Sequence, residues 1–173
     1  MTRRQLSALA VVTAAFLLSA GQARAGLVAW WSFDEGTGAV AGDTAGGHAA
    51  TLQNMEAADW VAGHTGGAGD YSLSFDGTDE YVQAIGYKGV AGRAARTISA
   101  WINSSATNDD VLSYGTNTGS QKWVFRTNST NGLAETLRVE VNGGYQVGSA
   151  DIVGTGWTHV AAVWENDGTP NVE

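Results

Sequence analysis

After residue 25, no segment of ten or more residues keeps the apolar spacing of an amphipathic helix. Short stretches rich in β-branched and aromatic residues recur instead, each bounded by Gly, Asn, Asp or Ser clusters. They read "LVAWWSF", "YSLSF", "EYVQAIGY", "RTISAWI", "VLSYG", "KWVFRT", "TLRVEV" and "WTHVAAVWE", and they restrict the chain to an all-β fold. In "TLRVEV", Leu137, Val139 and Val141 alternate with Arg138 and Glu140, as in a half-buried strand. "YSLSF" sets Tyr71, Leu73 and Phe75 against Ser72 and Ser74, whereas "HVAAVW" is apolar on both faces and suits a strand covered on both sides. The mixture predicts two packed antiparallel sheets. Asp-Gly in "FDGTDEY" and "ENDGTP" and Asn-Gly in "VNGGY" supply tight turns. With no cysteine, stability must come from packing alone.

Residues 1–25 read as an export signal: Arg3 and Arg4, an apolar run from Ala8 to Ala20, then Ala23-Arg24-Ala25 ahead of Gly26. A helix needs about 20 apolar residues to cross a bilayer, and this run is shorter, so cleavage and no membrane insertion are expected. Losing Arg3, Arg4 and Arg24 takes the formal charge from −8 to −11. Such a chain repels phosphate backbones, which excludes nucleic acid as a partner and fits a secreted or cell-surface domain with room for cation sites. The mature region shows no internal repeat or linker. Its glycine-rich "GHTGGAGD" lacks the Gly-Lys-Ser/Thr of a phosphate cradle and reads as a long surface loop.

The order of segments carries a resemblance. "LVAWWSFDEGTGAVAGDTAGGHAATL", Trp60, "GGAGDYSLSFDGTDEYVQA", "RTISAWINSS", "VLSYG" and "GWTHVAAVWENDGT" together resemble the LamG-like jellyroll domain of the concanavalin A-like lectin and glucanase fold. The resemblance implies a jelly-roll sandwich of two curved antiparallel sheets over 26–173. It further implies a secreted or surface module of a longer multidomain polypeptide that binds carbohydrate or protein, with calcium as the candidate cofactor. In the family, closing strands follow the turn after "WTHVAAVW"; here the sequence reaches "NVE", so the C-terminal strands are expected to be missing from this domain.

The residues argue against catalysis. A glycosidase of this fold needs two carboxylates about 5–9.5 Å apart, usually on a strand reading Glu-x-Asp-x-x-Glu. The only Glu-x-Asp, Glu165-Asn166-Asp167, runs into a Gly-Thr-Pro turn. Asp34 and Glu35 are adjacent, at the end of an expected first strand on which Trp30 and Trp31 face opposite sides; Asp43 of "GDTAGG" is expected to cap its own backbone. His48, His64 and His159 lack the spacing of a zinc site, and His159 reads as a half-buried strand residue. For calcium the candidates are Asp76 and Asp79 in "FDGTDE" and Asp109 and Asp110 in "TNDD", all at strand ends.

Sugar binding asks for exposed aromatic faces beside a few polar groups. Trp101 shares a strand face with Thr97, Ser99 and Asn103, opposite Ile98, Ala100 and Ile102; Trp123 shares one with Phe125. Tyr114, Asn117 and Trp60 are loop-side candidates, while Trp30, Trp31 and Trp164 are expected in the core. The expectation is therefore a non-catalytic carbohydrate-binding module whose partner is a glycan or surface protein. A structural or adhesive domain without a small ligand is the alternative, and a hydrolase of the same fold the third.

Overall fold

The computed structural model describes residues 26–92, 94–105, 108–116, 118, 121–130, 133–141, 144–165 and 170–172, with backbone alone for 129, 130, 133, 134 and 170–172. The expected export signal, Asn117, the Asn-Gly at 142–143 and the turn at 166–169 lie outside the described residues. Among the described residues twelve strands follow in order: β1 Val40–Ala41, β2 Ala50–Gln53, β3 Trp60–Ala62, β4 Tyr71–Leu73, β5 Tyr81–Gln83, β6 Arg96–Ile102, β7 Asp110–Gly115, β8 Lys122–Thr130, β9 Leu133–Val141, β10 Gly144–Val147, β11 Thr158–Trp164 and β12 Pro170–Val172. One turn of 3-10 helix, Ala57–Asp59, precedes β3.

The fold is all-β and every strand pairing is antiparallel, as the jelly-roll sandwich requires. Its main body is a sheet in the order β10-β9-β8-β7 facing a sheet in the order β12-β11-β6. Alternation decides which side chains meet between them: Trp123 and Phe125 from β8, Leu137 and Val139 from β9, and Val160, Ala162 and Trp164 from β11 are buried together, with Ile98, Ala100 and Ile102 of β6 packed against them. Trp123 and Trp164 meet edge to face across the seam, ring centroids 6.3 Å apart at 86°. Arg96 roofs this core, with its guanidinium carbon 5.2 Å from the Trp123 ring centroid. Its Nη atoms donate to the Val90 and Gly92 carbonyls and to the Tyr114 hydroxyl, tying residues 90–92 to the sandwich.

The N-terminal third is shorter-stranded than the sequence suggests. Sheets β1-β2-β5 and β3-β4 enclose a second, smaller core of Ala41, Leu52 and Trp60, onto which Trp31, Phe33, Leu73 and Val82 pack. "LVAWWSF" is not a strand but an irregular segment with one bridge, Trp31 to Asp43. Phe33 adopts φ +59°, a left-handed conformation that a strand cannot contain. In consequence Trp31 is half-buried with its indole N–H donating to the His48 carbonyl, while Trp30 is 56% exposed and not the core residue expected. In "HVAAVW" only Val160, Ala162 and Trp164 are buried; Ala161 and Val163 are half-buried and His159 is exposed, so β11 is fully covered on one side alone.

What replaces a strand at 27–48 is the Asp43 carboxylate. Its Oδ1 accepts the N–H groups of Trp30, Ala45 and Gly46 at 2.8, 2.9 and 2.9 Å, and its Oδ2 accepts that of His48 at 3.0 Å. The expected backbone cap is present, and it reaches thirteen residues back to Trp30 as well. Burial opposes the charge, but the N–H groups of Gly46, Trp30, His48 and Ala45 outweigh it and hold the carboxyl far below the usual carboxylate range. Glu35 and Asp34 serve similarly, accepting the N–H groups of Gly42 and Tyr71.

Two outcomes test these assignments. Phe125 is fully buried and Phe75 is 52% exposed, so in urea denaturation Phe125→Ala should cost about 3–5 kcal/mol and Phe75→Ala no more than about 0.5 kcal/mol. Because folding lowers the Asp43 pKa, its contribution is complete above the unfolded value of about 3.9 and is lost as pH falls below it. Melting temperatures of the parent and Asp43→Asn should therefore differ by several degrees at neutral pH and converge progressively in acid; a constant difference across that range would contradict the assignment.

Candidate functional site

The clearest candidate is the outward face of the β6-β11 pair. Because Ile98, Ala100 and Ile102 fill the core, Thr97, Ser99 and Trp101 must point the other way, as the alternation predicts. Register pairs Trp101 with His159, Ser99 with Ala161 and Thr97 with Val163. Trp101 is 48% exposed, a large apolar ring kept in solvent among small polar neighbours. The His159 ring meets it edge-on at 5.3 Å, so His159 is an exposed partner of Trp101 and not the half-buried strand residue expected.

A second ring arrives from far away in the sequence. His64 stacks on Trp101 with centroids 4.4 Å apart at 15°, and also lies 6.5 Å from Trp157 in an edge arrangement. It comes from the glycine-rich segment, which is a tightly closed loop: the Gly63 N–H donates to the Asp70 carbonyl at 2.9 Å, and Asp70 Oδ2 accepts the Thr65 and Gly66 N–H groups at 2.7 and 3.0 Å. The hydrogen bond from the Thr65 hydroxyl is the main cause that holds the Asp70 carboxyl below its usual range, aided by the two N–H groups against the cost of burial. A Cβ at position 63 would stand 2.2 Å from Asp70 Oδ1, which is why glycine sits there.

A polar cavity of about 430 Å³ opens on the outward face of the opposite sheet, with Asp110, Ser113, Lys122, Arg126 and Glu140 in its wall. Arg126 Nε lies 3.3 Å from Asp110 Oδ1, while Lys122 Nζ and Arg138 Nε lie 3.2 and 2.9 Å from the two oxygens of Glu140. Burial pushes the Asp110 carboxyl up despite Arg126. It pushes Glu140 the same way, but there the Lys122 hydrogen bond and the Arg138 charge prevail and hold the carboxyl down.

The other sequence candidates are scattered. Trp123 is 2% and Trp60 8% exposed, so both are core residues and offer no ring face to a ligand. Trp123 shares its face with Phe125 as expected, but Lys122 and Arg126 occupy the alternate positions and force that face inward. Tyr114 is in a strand, β7, not a loop; its hydroxyl is engaged by Arg96 and the Val90 carbonyl. Asp76 Oδ1 accepts the Thr78 N–H in its own turn, Asp79 accepts the Asn54 side-chain amide, and Asp110 pairs with Arg126. The Asp109 N–H donates to the Thr127 hydroxyl. Among the described residues no group of three or more His, Asp or Glu side chains comes together in a way that could hold a metal ion.

The family model described as the concanavalin A-like lectin/glucanases superfamily matches residues 76–172, more than half of the chain. The chain belongs to this superfamily. No curated protein and no solved structure matches it. The superfamily match begins just before β5 and spans the whole two-sheet sandwich, including Trp101, His159 and the cavity, while β1 to β4 and His64 lie before it. Membership in the concanavalin A-like superfamily places the chain among generic carbohydrate-binding or adhesive modules. No helix among the described residues is long and apolar enough to cross a membrane.

If Asp70 holds the loop that carries His64, then Asp70→Ala should loosen the His64 to Trp101 stack without unfolding the sandwich. Acrylamide quenching of tryptophan fluorescence should rise severalfold for the exposed component, with the urea midpoint nearly unchanged.

Proposed function

We propose that this chain is a non-catalytic, extracellular carbohydrate-binding module that uses the Trp101 face of β6-β11. The observation that carries the reading is a tryptophan 48% exposed on a strand whose other face is core, flanked by Thr97, Ser99 and His159 and covered on one ring face by His64. An indole presents a flat apolar surface to the C–H face of a pyranose, while hydroxyl and imidazole groups beside it orient the sugar hydroxyls. Superfamily membership supports the class of ligand. The non-catalytic reading rests on the carboxylates: Asp34, Glu35 and Asp43 hold backbone N–H groups, and Glu140 is neutralised by two cations.

The adhesive reading draws on a separate observation. Nine of the eleven large apolar side chains exposed among the described residues, from Leu27 to Ile85, belong to the N-terminal half. A concentration of this kind favours contact with another protein surface.

A glycan array probed with the full chain, with and without calcium, separates the two. Carbohydrate recognition predicts binding to at least one neutral glycan, weakened about tenfold by Trp101→Ala with an unchanged melting temperature. Binding to no glycan under either condition overturns it and leaves the adhesive reading, for which self-association or capture of a surface protein must survive Trp101→Ala.

A further inference from the structure

The two main sheets have four outer strands, β10 and β7 on one and β12 and β6 on the other, and among the described residues three of these are blunted against pairing with another chain. β12 is three residues long and begins with Pro170, which has no N–H to offer. β10 is four residues long, and β7 carries a bulge between Asp110 and Leu112. β6 has none of these features. It runs seven residues in unbroken register with β11, and no proline or charge interrupts Thr97 to Ile102. The Arg96 guanidinium is turned back onto the Val90 and Gly92 carbonyls.

The free side of β6 is also unfinished. Among the described residues its backbone makes no hydrogen bond except those to β11, so the N–H and C=O groups aimed the other way are unpaired. The core behind it is open as well. Val160, Ala162 and Trp164 of β11 are buried, whereas Ile98, Ala100 and Ile102 of β6, on the same inward face, are only half-buried. A further strand laid along β6 would satisfy the backbone and cover all three. Charge selects the occupant. Residues 26–173 hold seventeen Asp and Glu against six Lys and Arg, yet the seven residues of β6 and the seven of β11 include no acid. Two copies of so acidic a chain repel each other over most of their surfaces, and here they can approach without it. A basic peptide would find no carboxylate on this edge to hold it.

We infer that β6 is the interface of a symmetric dimer, in which the β6 strands of two copies pair antiparallel and join their three-stranded sheets into one. The register that keeps inward residues opposite inward ones and pairs all seven sets Ser99 against its own copy on the two-fold axis. Ile98 then lies opposite the partner's Ala100, closing each other's flank of the core, and Thr97 opposite the partner's Trp101. The pairing does not depend on whether Trp101 binds a glycan.

Sedimentation velocity of the full chain tests this. The mass should pass from monomer toward dimer between about 5 and about 500 μM, because one strand pair is smaller than a standard interface. Ser99→Lys and Ser99→Asp each set like charges face to face on the axis and should each weaken the dimer at least about tenfold, and mixing the two variants should restore it. A misfolded variant cannot be rescued by mixing. Ile85→Ser, among the exposed apolar side chains of the N-terminal half, should leave the dimer unchanged. A monomer at every concentration, no loss with either Ser99 variant, no recovery on mixing, or loss with Ile85→Ser overturns the inference.

Discussion

The seam between the two main sheets, where Trp123 stands edge-on to Trp164, fixes nearly everything else about the sandwich. A strand side chain has only two directions, and a one-residue slip exchanges them all. Once Trp123 and Phe125 are committed to the seam, Lys122 and Arg126 are committed to the opposite surface; once Val160 and Trp164 are committed, so is His159. The two outward faces, one aromatic and one charged, are by-products of a single packing decision. No cysteine contributes, so that decision rests on apolar burial and ladder hydrogen bonds.

Where the chain leaves the sandwich, carboxylates take over the role that packing plays inside it. Asp43 gathers four backbone N–H groups and Asp70 two, each closing a glycine-rich loop that has little apolar surface to bury. An acidic chain is thereby less extravagant than its charge suggests, since these acids act as short-range scaffolding. Glu135, within β9, differs from these: it faces inward and is fully buried, with Oε2 accepting the Ser104 hydroxyl at 2.6 Å.

The sandwich was legible from alternation because its strands are long enough to show it. "TLRVEV" and "RTISAWI" place Val139 and Ile98 inward and Trp101 outward, as their patterns predict. Trp123 was legible too, from the Lys122 and Arg126 that flank the same strand, a signal weaker than the appeal of a tryptophan beside a phenylalanine. "LVAWWSF" misled because composition cannot reveal that Phe33 turns left-handed. The His64 to Trp101 stack was out of reach for another reason: thirty-seven positions separate the partners, and only the tertiary fold brings the loop to the strand. The cavity lies between these extremes, its residues readable strand by strand but its concavity not.

The start of the superfamily match, at Asp76, falls between two strands that share a core. β5 is hydrogen-bonded to β2, and Val82 of β5 packs onto Leu52 and Trp60, which precede the match. The stretch of sequence kinship is thus shorter than the packed unit to which β5 belongs. Trimming the protein to the kinship boundary would strip β5 of its neighbour, open an unpaired edge and carry His64 away from the indole it covers.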